Sequence, residues 1–113
     1  MVFLFNGKLS AINFKQDYYP RLKETIANAV KAGIGIVAMK TMAGGFHDKE
    51  RKQPINCKAA LKFVLQDENV TTAIPGNINF DHLNMNISVN TDLKMTDEEK
   101  GDLLLGKSQG GLY

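Results

Sequence analysis

Apolar positions change their period several times along this chain, and each change predicts an element. Between Pro20 and Ala32, Leu22, Ile26 and Val30 recur every four residues and Ala29 widens the stripe, which predicts an amphipathic helix. Pro20 suits the first turn, where its missing N–H costs nothing, and Gly33 supplies the stop. Ile34 to Met39 is apolar without alternation, the pattern of a parallel strand covered on both faces. Earlier, Ser10 to Phe14 predicts a strand with Ile12 and Phe14 on one face. Residues 2–5 predict another, joined to it by Asn6-Gly7, a strong hairpin turn. That hairpin is antiparallel and sits apart from the rest of the pattern.

Downstream, Asn56 to Gln66 predicts a second helix with Ala60, Leu61, Val64 and Leu65 on its buried side. Val70 to Ile74 is a short β-branched strand, broken by Pro75-Gly76. Asn79 or Asp81 caps a third helix carrying Leu83 and Ile87 inward. Thr96 and Glu99 form a capping box for a final helix on which Leu103 and Leu104 pack. Residues 106–113 are glycine-rich and predict a flexible tail.

Strands that alternate with helices imply right-handed crossovers and a parallel sheet. The fold class is therefore α/β, in one domain over residues 1–113. Three strands leave two raw sheet edges, which invite pairing with another chain. The helix–strand spacing is that of consecutive units of a (β/α)8 barrel, which usually needs about 250 residues. At 113 residues the chain holds less than half of one, so a partial barrel is expected.

Composition narrows the function. A net charge of +2 with scattered lysines argues against nucleic acid, which calls for a concentrated basic stripe. The one cluster, Lys49 to Lys52, contains Glu50 and reads as a solvated loop. No apolar run approaches the ~18 residues needed to span a membrane. The single cysteine, Cys57, cannot form an internal disulfide. It points to a reducing, cytoplasmic setting and a packed thiol. Met39, Met42, Met85 and Met95 fall on different elements and read as ordinary packing. His47 and Asp48 are adjacent but lack a third ligand at useful spacing, so no metal site is assigned.

Ligands of parallel β/α sheets bind at the carboxyl ends of the strands, and two such ends carry suitable groups. After Met39 comes Lys40-Thr41-Met42-Ala43-Gly44-Gly45, with a cation and two glycines that let backbone N–H groups approach a phosphate. After Ile74 comes Pro75-Gly76-Asn77-Ile78-Asn79-Phe80-Asp81-His82, which opens a helix whose N-terminus can bind an anion. His82 either donates to a phosphate or sits in an exposed first turn. Asp81 opposes an anion unless it points away.

Taken together these segments resemble a known family. Lys31-Ala-Gly-Ile-Gly-Ile-Val-Ala-Met-Lys-Thr-Met-Ala-Gly-Gly45 resembles the seventh strand and following loop of bacterial aldo-keto reductases. Ala59-Ala-Leu-Lys-Phe-Val-Leu65 resembles the next helix, and Val70-Thr-Thr-Ala-Ile-Pro-Gly76, running on to Asn86, the eighth strand and adenine-side helix. Ser10 to Asp17 resembles the sixth strand and its exit. The likeness covers about residues 10–105, and Met1 to Leu9 do not match.

The resemblance implies strands six to eight of a (β/α)8 barrel that carries out NADP(H)-dependent carbonyl reduction. It implies a nicotinamide dinucleotide as partner. Lys40, Thr41 and Met42 fall along the pyrophosphate, and Gly76, Asn77, His82 and Asn86 at the 2′-phosphate and adenine. Met39 stands where many members stack an aromatic ring on the nicotinamide. The family often has Arg where His82 stands and Glu where Met85 stands. Its catalytic Asp, Tyr, Lys and His belong to the first four strands, so no catalytic residue is assigned and Tyr18 and Tyr19 are not taken as proton donors. Some relatives continue into a cysteine-rich iron–sulfur segment, and no such cluster is encoded here. A fragment that is inactive alone is the expectation. The alternative is a standalone homo-oligomeric module that pairs its sheet edges.

Overall fold

The computed structural model describes residues 6–108. Its elements are β1 (Gly7–Ala11), α1 (Tyr19–Lys31), β2 (Gly35–Met39), α2 (Cys57–Leu65), β3 (Thr72–Ala73), α3 (Phe80–Ser88), a 3-10 turn (Val89–Thr91) and α4 (Asp97–Ser108). The strands form one sheet in the order β1-β2-β3, and both pairs are parallel. Gly7 faces Gly35 and Ala11 faces Met39, while Val37 faces Thr72. β2 and β3 thus each follow a helical crossover back to the same starting edge. All three carboxyl ends lie at one rim of the sheet.

The helices have the ends that their sequences call for. Pro20 lies in the first turn of α1, and Gly33, at φ 84°, turns the chain out of it in the left-handed region. Asn56 caps α2 by accepting from the Ala59 N–H at 3.0 Å. Asn79, and not Asp81, caps α3 by accepting from the His82 N–H at 2.8 Å. Thr96 and Glu99 bond reciprocally at 3.1 and 3.2 Å, the capping box of α4.

Packing corrects several expectations. The first strand is Gly7–Ala11 rather than 10–14. Asn6-Gly7 leads into a strand parallel to β2, and Asn6 O accepts from the Gly35 N–H at 2.8 Å. The predicted strand at 2–5 lies outside the described residues. Ile12 and Phe14 do not share a face. Ile12 joins the core of Ile26, Ile36, Ala38, Val64 and Val70, whereas Phe14 joins a second core with Ala43, Ile55, Ala59, Ala60 and Leu103. β3 has two ladder residues, although Thr71 N–H and Ile74 N–H extend its bonding to Ile36 O and Ala38 O, both at 2.9 Å.

β2 is covered on one face only. Ile36 and Ala38 are buried under α1 and α2, while Gly35, Val37 and Met39 are half-buried on the other side. Alternation and register put Leu9 and Ile74 on that same uncovered face, and they are 61% and 54% exposed. Leu83 and Ile87 also point outward, as does Leu104. The inward residue of α3 is Asn86, and the 3-10 turn supplies Val89 to the interior. α4 continues to Ser108. No helix of the described residues is long and apolar enough to cross a membrane.

Lys62, on the buried side of α2, holds the C-terminal segment in place. Its ammonium donates to Glu99 at 3.0 Å, to Lys94 O at 3.0 Å and to Asp92 at 3.3 Å. Burial opposes that charge, but the two carboxylates outweigh it and raise the Lys62 pKa. Glu99 feels the same burial, and Lys62 with Thr96 outweighs it and lowers the Glu99 pKa. A buried cation needs such partners to remain charged.

Candidate functional site

A cleft of about 1190 Å3 opens at the rim where the strands end. It is built in three parts, one from each strand exit. β1 gives way to Asn13, Gln16 and Tyr18. β2 gives way to the loop Lys40 to Gly45. β3 gives way to Ile74, Pro75 and Gly76 and then to α3, which presents Asp81, His82, Met85 and Asn86. With strands about 4.8 Å apart, the β1 and β3 walls are separated by roughly 10 Å.

The middle part is conformationally unusual. Lys40 and Ala43 have φ of 54° and 49°, and Gly44 and Gly45 have φ of 85° and 82°. Two glycines and two non-glycine residues therefore hold left-handed backbone within six positions, a curl that L-residues adopt at a cost. Asn13 Nδ2, just past β1, braces it by donating to Lys40 O at 3.3 Å. The curl ends where Ile55 N–H bonds Gly45 O at 3.0 Å, and it leads into a polar loop. In that loop Asp48 collects the Lys52 and Gln53 N–H groups, and Arg51 lies 5.0 Å over the Phe46 ring. The basic cluster of Lys49 to Lys52 is thus a folded loop.

Two buried oxygens on the cleft have no partner. Thr41 is 1% exposed, and its Oγ1 makes no hydrogen bond. Asn86 is 8% exposed, and while its amide donates to Asn77 Oδ1 at 2.6 Å, its own Oδ1 is unpaired. Unpaired buried oxygens are costly. The far wall adds the N-terminus of α3, where one first-turn N–H is taken by Asn79. A Cβ placed at Gly76 meets nothing within 4 Å, so the backbone there is open to a neighbour.

The charges are mixed. Lys40 and Lys58 are the cations on the cleft, and Asp81 is the carboxylate. Lys58 is already paired with Asp92 at 3.0 Å, so Lys40 is the cation better placed to meet an anion. Cys57, at the first turn of α2, also lines the cleft, and burial pushes its thiol pKa up, which works against a reactive thiolate. His47 stays off the cleft, packed edge-on against Phe14 at 6.2 Å. Burial and the Lys15 ammonium hold its pKa down. Among the described residues no group of three His, Cys, Asp or Glu could hold a metal.

Six of the eight residues singled out from sequence therefore come together: Lys40, Thr41, Met42, Gly76, His82 and Asn86 all line the cleft. The other two do not. Met39 lies on the uncovered sheet face, and Asn77 acts from behind by holding Asn86. Sequence reasoning missed Asn13, Gln16 and Tyr18. A first strand placed at 10–14 hides Asn13 inside it, whereas Gln16 and Tyr18 fall just past its end and carry no phosphate-binding motif that would single them out.

A search of solved structures finds the same architecture. The chain is similar to a thermostable aldo-keto reductase solved in complex with the inhibitor epalrestat, at 20% identity with a TM-score of 0.60. The match covers 92% of this chain and 39% of that one, so the chain spans well under half the length of its structural neighbour. No family model matches the chain. No curated protein matches its sequence. At this identity the likeness is one of fold: three parallel strands with their helices, corresponding to part of an aldo-keto reductase barrel.

Proposed function

We propose that this chain is the cofactor-holding part of an NADP(H)-dependent aldo-keto reductase barrel and supplies no catalytic acid of its own. The observation that carries the reading is the cleft at the shared rim. There Lys40, the curled Gly44-Gly45 backbone and the start of α3 come together with Thr41 and Asn86. A dinucleotide matches those features part by part. Its diphosphate suits Lys40 and the curl. Its adenine end suits the start of α3 beside Gly76 and Asn86. When bound, such a cofactor supplies hydride to a carbonyl carbon. In this chain Lys40, Thr41, Met42, Gly76, His82 and Asn86 would hold it, with Asn77 in support.

Reduction also needs a proton donor within hydrogen-bond reach of the carbonyl oxygen. Tyr18, Lys40 and His82 line the cleft from three different strand exits, and the chain spans 39% of its structural neighbour. The expected behaviour is therefore cofactor binding, weaker than micromolar, without aldehyde turnover. Calorimetric titration of the pure chain with NADPH tests this. Saturable binding that weakens in Lys40→Gln supports it, and the absence of saturable binding at millimolar cofactor sinks it.

A second reading draws on the uncovered sheet face. Leu9 and Ile74 are exposed there beside half-buried Val37 and Met39, and among the described residues β1 and β3 are the edge strands of the sheet. A second copy that covers this face and these edges would make the chain a self-associating module.

A further inference from the structure

We infer that the groove between α1, α2 and α4 is a second small-molecule site, shaped for an aromatic carboxylate and separate from the cleft at the strand ends. Its volume is about 470 Å3, within the range of pockets that take small organic ligands. It shares no lining residue with the cleft. Tyr19 from α1 and Phe63 from α2 stand together on it, with ring centroids 5.2 Å apart and planes tilted by 50°. Phe14 and Leu103, both buried, add apolar surface. Half-buried Met95 adds a thioether that adapts to the shape of a neighbour.

The neutral and acidic polar groups on this groove already have partners. The Tyr19 hydroxyl donates to Asp67 Oδ2 at 3.4 Å, and Asp67 Oδ1 accepts from the Asn69 N–H at 3.0 Å. Gln66 Nε2 donates to Leu93 O. The cations differ. Lys23 on α1 and Lys100 on α4 are exposed, and among the described residues neither ammonium has an ion pair or a hydrogen bond. Lys100 follows Glu99, which the Lys62 ammonium holds at 3.0 Å, so the α4 side of the groove is anchored.

An apolar groove whose uncommitted charges are two cations complements a ligand with an aromatic body and one anionic end. The rings of Tyr19 and Phe63 suit the body through offset or edge contacts. The lysine stems cover apolar surface while their ammonium groups meet the carboxylate. A bare phosphate would leave the rings uncovered, and a neutral ring would leave the cations unused.

Three probes that share an aromatic body and differ in charge test this on the full chain: 2-naphthoate, 2-naphthylmethanol and 2-naphthylmethylamine. In methionine-methyl NMR, 2-naphthoate should bind saturably and shift Met95, leaving Met42 and Met85, which line the cleft, in place. The alcohol and the amine should bind at least about fivefold more weakly, the size of two exposed charge contacts. Lys23→Gln/Lys100→Gln should bring 2-naphthoate down to the level of the alcohol. Lys23→Glu/Lys100→Glu should turn the preference towards the amine. Both lysines are exposed, so an unchanged melting midpoint in both double variants separates lost binding from lost folding. No saturable binding at millimolar 2-naphthoate, shifts centred on Met42 or Met85, displacement by NADPH, or equal affinity for the three probes would overturn the assignment. So would Met95 shifts that follow protein concentration and ignore the probes, the sign of a second copy in the groove. A chain that binds 2-naphthoate but not NADPH keeps this site and loses the cofactor reading.

Discussion

Asn86 donates its side-chain amide to Asn77 Oδ1 at 2.6 Å, and Asn77 in turn donates to Pro75 O at 3.3 Å. The buried residue of α3 is thereby tied to the turn that leaves β3, with its remaining oxygen buried and unpaired. Asn86→Ala is expected to weaken 2′,5′-ADP binding about tenfold and to cost about 1 kcal/mol of stability, the worth of one buried hydrogen bond. Asn77→Ala keeps the Asn86 oxygen and should weaken binding by a smaller factor. Calorimetry and urea unfolding measure the two effects separately, and equal losses for both variants would argue that Asn86 acts only through the turn.

Lys40 combines a charge on the cleft with left-handed backbone at φ 54°. That backbone costs a non-glycine residue roughly 1–2 kcal/mol, part of which glycine gives back through its freer unfolded chain. Lys40→Gly should therefore stabilise the fold by about 0.5–1 kcal/mol while weakening NADPH. Lys40→Gln should weaken NADPH without the gain. A Lys40→Gly variant that is less stable than the natural chain would mean that the charge, and not the curl, dominates this position.

The Lys62 network predicts both a mutant effect and an acid limb. Lys62→Met leaves Glu99 in a buried site without its cation, a strongly unfavourable arrangement. It should lower the melting midpoint by more than about 5 °C, with part of the loss recovered in Lys62→Met/Glu99→Gln. The Glu99 pKa is lowered in the fold, so its stabilisation is present above the ordinary glutamate pKa and fades as pH falls through the folded value. Acid titration of Glu99→Gln, followed by circular dichroism, should accordingly show a flatter decline below about pH 4.5 than the natural chain.

Tyr19 sets an alkaline limb. Burial, the nearby Asp67 charge and a 3.4 Å hydrogen bond to that carboxylate raise its pKa to about 12. A raised pKa favours the protonated form in the fold. The contribution is complete below the ordinary tyrosine pKa near 10 and is lost as pH rises towards 12. Tyr19→Phe should remove this slope between those values. Phenolate absorbance in the natural chain should show one tyrosine titrating only as the fold opens.

The uncovered sheet face predicts concentration dependence. If a second copy covers it, Leu9→Glu should shift a dimer to monomer in sedimentation, because a carboxylate would be buried against apolar neighbours without a partner. A natural chain that stays monomeric at high concentration removes the self-association reading.

Much of the cleft was legible because its chemistry follows short motifs. The positions of Lys40, Thr41, Met42 and Gly76 depend only on strands that end at Met39 and near Ile74, and the apolar run and the Pro75-Gly76 break mark those ends well. The β1 wall was not legible. Lys8 and Ser10 interrupt the apolar pattern of Gly7–Ala11, so local alternation favoured a strand three residues later, over Ile12 and Phe14. Leu83 and Ile87 misled for a similar reason, since apolar spacing predicts a stripe but not which body the stripe meets.

The sequence by itself determined the local events: where helices start and stop, which strands are parallel, and which strand exits carry a cation, glycines or a helix cap. Periodicity and capping are short-range properties, written within a few residues of where they act. Only the tertiary structure decided which faces are covered, that Asn86 turns inward while Leu83 and Ile87 do not, and that Lys23 and Lys100 reach one groove from separate helices. Those outcomes depend on side chains meeting from separate elements, and no local pattern records which neighbour arrives.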